Sequence, residues 1–108
     1  MGSDYGLGMG LLVNYRNPKL LKLAKDAPCV LCGSNDGTVV ACHSNQLRDG
    51  KGTGIKAKDY RICYCCHKHH VMMDSSNELS REERIALFED AHRRTIGWLF
   101  ENGHLEVK

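Results

Sequence analysis

Two cysteine pairs of identical spacing, Cys29-x2-Cys32 and Cys63-x2-Cys66, stand thirty residues apart in a chain of 108. Two short turns that each present a pair of thiolates are the usual way of holding tetrahedral zinc, and so short a chain buries a limited share of its surface without a staple. The spacing predicts one zinc ion with Cys29, Cys32, Cys63 and Cys66 as ligands. Four thiolates fill the coordination sphere, so this ion is expected to be structural and any catalysis to come from elsewhere. Disulfides are the competing use of six cysteines. Residues 1–12, MGSDYGLGMGLL, have neither the basic start nor the apolar run of a secretory signal. No stretch approaches the ~20 apolar residues that span a bilayer. A cytoplasmic protein with reduced thiols and no membrane association is therefore expected. A thioredoxin-like redox role for either pair is disfavoured, because no βαβ pattern surrounds them.

The glycine-rich start reads as a flexible arm over 1–14, followed by a single domain over 15–108. Asn17-Pro18 marks the start of a short helix whose apolar face is Leu20, Leu21 and Leu23. Thr38–His43 and Asp59–Tyr64 have the β-branched and aromatic content of two strands, separated by the loop Gly50–Gly54. The stretch after Cys66, HKHHVMM, allows one or two helical turns. Ser80 and Glu83 form a capping box, and Ile85, Phe88, Ala91, Thr95, Ile96 and Leu99 make a helical stripe ending at Asn102-Gly103. The fold class is small α+β: a zinc-stapled hairpin and helix with a long C-terminal helix, which covers the hairpin or pairs with a second copy as a homodimer.

The formal charge of +2 is unevenly placed, for residues 43–70 carry six basic against two acidic side chains. A basic segment beside a metal cluster suits a polyanion such as nucleic acid. The glycines of Gly50–Gly54 allow the backbone near phosphates, and Lys51, Lys56, Lys58 and Arg61 would position them without reading sequence. Of the remaining groups, His67 and His70 share a helical face at i, i+3, as do His70 and Asp74 at i, i+4. That face could coordinate a second divalent ion. Cys65 is expected to point away from the zinc, Cys42 to face away from His43, and His69 has no assigned task. A redox or metal-storage use of Cys42 and Cys65 is a weaker possibility.

The order of C-x2-C, VVACHSNQ, KAKDYRIC and CYCCH resembles the zinc-stabilised HNH, or ββα-metal, endonucleases. More narrowly, HSNQLRDGKGTGIKAKDYRIC, the CCH triplet and the tail from LSREERIALF onward are similar to small phage and prophage nucleases of the YbcO-like family. The resemblance runs from about Tyr15 to Lys108. It implies a metal-dependent DNA endonuclease working in a bacterial host cell, with DNA and phage recombination or replication proteins as partners. His43 then matches the general base, a task suited to imidazole. His67 matches the ligand of a catalytic Mg2+ or other divalent ion, completed by His70 or Asp74. Asp59 fills the orienting position of the motif, with Asn45 competing for it. Cys42 departs from the pattern, standing where the family often has an Asp or His ligand. The alternative is a non-catalytic zinc module that binds DNA or a protein partner.

Overall fold

The computed structural model describes residues 14–75 and 77–108. Helix α1 (Pro18–Lys22) begins where the Asn17 side chain accepts the Leu20 N–H and Pro18 occupies the first turn, and it tightens into a 3-10 turn at Leu23–Asp26. Strands β1 (Val40–His43) and β2 (Ile62–Cys65) pair antiparallel, with Val40 opposite Cys65, Cys42 opposite Cys63 and His43 opposite Ile62. Helix α2 (His67–Asp74) follows β2 directly, and α3 (Arg81–Glu101) closes the order. A small α+β domain with a two-stranded sheet and a long C-terminal helix results, as the sequence implies. Among the described residues no helix is long and apolar enough to cross a membrane.

Both strands are shorter than their residue content predicts. The Thr38 backbone N–H and hydroxyl both donate to Asp36 Oδ1, which forms a turn ahead of β1. Arg61 N–H donates to Lys58 O at 2.9 Å, so a turn occupies the expected start of β2. Of the arm expected over 1–14, residues 1–13 lie outside the described residues. Asn14 donates to Gly50 O at 2.9 Å and Lys56 O at 3.0 Å, tying the start of the domain to the glycine loop. Gly50 has φ +94°, and a Cβ there would stand 2.6 Å from Asn14 Nδ2, so glycine is required.

The outer edge of β2 is closed without another strand. Tyr64 N–H donates to Thr95 Oγ1 at 3.0 Å, Tyr64 O accepts Val30 N–H at 3.0 Å, and His92 Nδ1 bonds to Ile62 O at 2.8 Å. Thr95 is wholly buried and donates in turn to Ala91 O at 2.9 Å. Helix α3 is thus held against the sheet by hydrogen bonds as well as by buried Phe88, Ala91 and Leu99. Its start carries the full Ser80–Glu83 capping box. At its end Gly103, at φ +77°, lets Gly103 N–H reach Phe100 O and His104 N–H reach Leu99 O, a Schellman closure. Trp98 packs edge-on against Tyr64, while Phe100 stays half exposed.

Candidate metal centre and the histidine–carboxylate pair

Each turn that builds the first cysteine group has a local cause. Cys29 N–H donates to Ser34 O at 2.8 Å and Gly33 N–H to Cys29 O at 2.7 Å, and the positive φ of Gly33 completes a tight loop that presents Cys29 and Cys32 together. Cys66 is the N-cap of α2, so His69, three residues later, returns over it on the first helical turn. Cys66 Sγ lies 3.3 Å from His69 Nδ1 and 3.9 Å from Cys32 Sγ, and Cys29 Sγ lies 3.6 Å from His69 Nδ1. All four donor atoms fall within 4.8 Å of one another. Ligands at zinc's usual bond lengths stand about 3.5–3.8 Å apart at the corners of a tetrahedron. The three shortest separations, 3.3, 3.6 and 3.9 Å, lie close to that spacing, and the group can hold a metal ion such as zinc. Burial opposes ionisation of Cys29, but the backbone N–H groups of Cys66, Cys32 and Leu31 outweigh it and bring the thiol down to about 6.

The expected set of four thiolates is therefore replaced by three thiolates and one imidazole. Cys63 belongs to β2, which runs on through Cys65, and alternation along a strand sends residues 63 and 65 to one side and 66 to the other. Cys63 Sγ accordingly lies 3.4 Å from Cys65 Sγ, and with Cys42 across the ladder these make a separate group of three buried thiols. That second group can also hold a metal ion. The signal for His69 was present in the sequence, since Cys66-x2-His69 has the same spacing as the two cysteine pairs.

His43 ends β1 and its Nε2 lies 2.8 Å from Asp59 Oδ1. Asp59 is 1% exposed and also accepts Asn17 N–H at 2.6 Å and Arg16 Nη1 at 3.1 Å. Burial works against the charged carboxylate, yet the bonds from His43 and Asn17 and the charges of His43 and Arg16 hold it below the usual carboxylate range. In the neutral form of the ring, the Asp59 carboxylate favours the proton on Nε2, which leaves Nδ1 as a proton acceptor. Asn45, the competing residue, instead donates to Asp74 Oδ1 at 2.7 Å.

Helix α2 runs alongside β1 in the same direction. At its start His67 N–H donates to Thr38 Oγ1 at 3.0 Å; at its end Asp74 meets Asn45, just past β1. His67 is therefore anchored at the opposite end of β1 from His43, and no group of three potential metal donors among the described residues includes either one. His70 Nε2 lies 2.8 Å from Asp74 Oδ2, so the pair at the far end of α2 is the one brought toward the His43 end of the strand. Beside it lies a cavity of about 440 Å3 lined by Asn45, Asp74, Arg81, Arg84 and Phe88.

Arg61, expected to meet phosphates, is engaged within the protein. Its Nε lies 2.9 Å from Asp49 Oδ1, its Nη2 pairs with Glu89, and its guanidinium sits 5.4 Å from the Phe88 ring centre. Gln46 Nε2 also donates to Glu89 at 2.7 Å, and wholly buried Ser44 donates to Asp49 at 2.6 Å. These bonds tie the exit of β1 to α3. Lys56 is exposed, whereas Lys51 in the glycine loop and Lys58 beyond it are half-buried. No family model, no curated protein and no solved structure matches the chain.

Proposed function

We propose that the chain is a zinc-stapled DNA endonuclease of the ββα-metal kind. The observation that carries this reading is His43, held at the end of β1 by buried Asp59 at 2.8 Å, within a consecutive β1–β2–α2 order. Cys29, Cys32, Cys66 and His69 hold the structural zinc at the junction of β2 and α2. In the reaction, His43 Nδ1 takes a proton from water as the water oxygen bonds to phosphorus. The leaving ester oxygen departs and is protonated by solvent. Asp59 keeps the ring oriented and balances the charge of the imidazolium.

A divalent ion such as Mg2+ at His70 and Asp74 would neutralise charge on the phosphate and on the leaving oxygen. His67 has no part in that assignment. Lys51, Lys56 and Lys58 position the DNA backbone, and the cavity beside Asp74 offers room for a nucleotide flanking the cut. The test is nicking of supercoiled plasmid with Mg2+ or Mn2+. Activity should vanish in His43→Ala and survive in His67→Ala; cleavage by His43→Ala rejects the assigned base. One observation favours a second reading, a zinc module that binds DNA without cutting it: His70 and Asp74 already satisfy each other. DNA binding without cleavage under any divalent ion would select that reading.

A further inference from the structure

All six cysteines of the chain fall into two groups of three, and only one group has a histidine. The second group needs its own account. Cys42, Cys63 and Cys65 are 3%, 0% and 0% exposed, and their sulfur atoms lie within 4.8 Å of one another. Strand alternation alone puts residues 63 and 65 on one side. The ladder register then places Cys42 directly opposite Cys63, on the same side. Buried cysteines often act as small apolar groups, but such residues need no common focus. Here three thiols converge, and Cys42 Sγ also donates to Val40 O at 3.7 Å.

We propose that Cys42, Cys63 and Cys65 form a second metal site, selective for a soft three-coordinate cation of the Cu(I) class and distinct from the Cys3His zinc centre. Coordination number separates the two sites. Zinc takes four ligands in structural sites, and the first group supplies four. The second supplies three, and among the described residues no histidine or carboxylate atom joins them. Thiolate donors favour soft ions, and a trigonal sulfur set suits an ion that does not require a fourth ligand. The surroundings are the apolar core that includes Ile62, Tyr64 and Met73, which keeps water and oxidants from the ion. This site is independent of any nuclease activity.

The test refolds the full chain anaerobically with zinc and titrates it with Cu(I) supplied as its acetonitrile complex, measuring both metals after desalting. One zinc and one copper per chain are expected, and X-ray absorption at the copper edge should report three sulfur neighbours and no nitrogen. Cys65→Ser should weaken copper binding at least about 100-fold with zinc content unchanged. Copper that displaces zinc, or that shows a nitrogen neighbour, overturns the proposal, as does zinc-loaded protein that takes up no copper. Should Cys65→Ser fail to fold, the wild-type absorption spectrum decides alone.

Discussion

Cys66 caps the helix on whose first turn His69 lies, and that one relation brings Cys66 Sγ and His69 Nδ1 to 3.3 Å. A strand ends and a helix begins at the same residue, so the geometry of the junction selects the fourth potential ligand. Cys63, at the same sequence distance from Cys66 on the other side, is on a strand and is turned away.

Zinc content separates these two roles. Cys29→Ser, Cys32→Ser, Cys66→Ser and His69→Ala should each release zinc and unfold the domain, whereas Cys63→Ser should keep one zinc per chain. Metal analysis with far-ultraviolet circular dichroism reads both outcomes. Zinc binding requires deprotonated thiols and neutral imidazole, so acid should release the metal and unfold the chain together.

Asp59→Asn should lower stability by about 2 kcal/mol, since it weakens charge-assisted bonds from His43, Arg16 and the Asn17 N–H. The folded carboxyl titrates below its unfolded value near ~3.9. Its stabilisation is therefore complete above that value and disappears as the pH falls through the lower folded one. Urea denaturation at several pH values should show a shallower acid limb in the variant. An identical limb would remove Asp59 from the account of acid stability.

Under the proposed DNA binding, Arg61 and the lysines should part company. Arg61→Ala is expected to cost about 2–3 kcal/mol of folding stability through the loss of its bonds to Asp49 and Glu89. Lys51→Ala and Lys56→Ala should leave stability nearly unchanged and each reduce the salt dependence of DNA affinity by roughly one unit of slope. Thermal melting and binding titrations across salt concentrations check the contrast.

Thr95→Val should cost about 1–3 kcal/mol although the shape is nearly retained, because the buried Tyr64 N–H loses its acceptor. Hydrogen exchange at Tyr64 should rise with the loss of stability. A neutral result would mean that water replaces the hydroxyl.

Helix α3 was legible because its signals are local and agree: the Ser80–Glu83 box, the stripe of Phe88, Ala91, Thr95 and Leu99, and Gly103 at the close. Three of the four zinc-compatible ligands were legible from cysteine spacing. The fourth, His69, shares that spacing with Cys66. The spacing alone carries no record of whether the backbone turns or continues as a strand, and so does not choose between His69 and Cys63. The placement of His67 depended on the direction of α2 relative to β1, which is tertiary. Arg61 reads as a surface cation until Asp49 and Glu89, 12 and 28 residues away in sequence, are known to surround it.

The closed edge of β2 limits how copies of this chain can associate. A sheet with both sides open can add strands from either direction, but here Thr95, His92 and Val30 occupy one side. Any assembly by strand addition must approach along β1, where Val40 is 45% exposed and the helix bearing His70 and Asp74 runs alongside. Growth of the sheet and access to the proposed His43 centre would then compete for the same flank, so under the proposed nuclease function a polymerising form of this protein should be an inactive one.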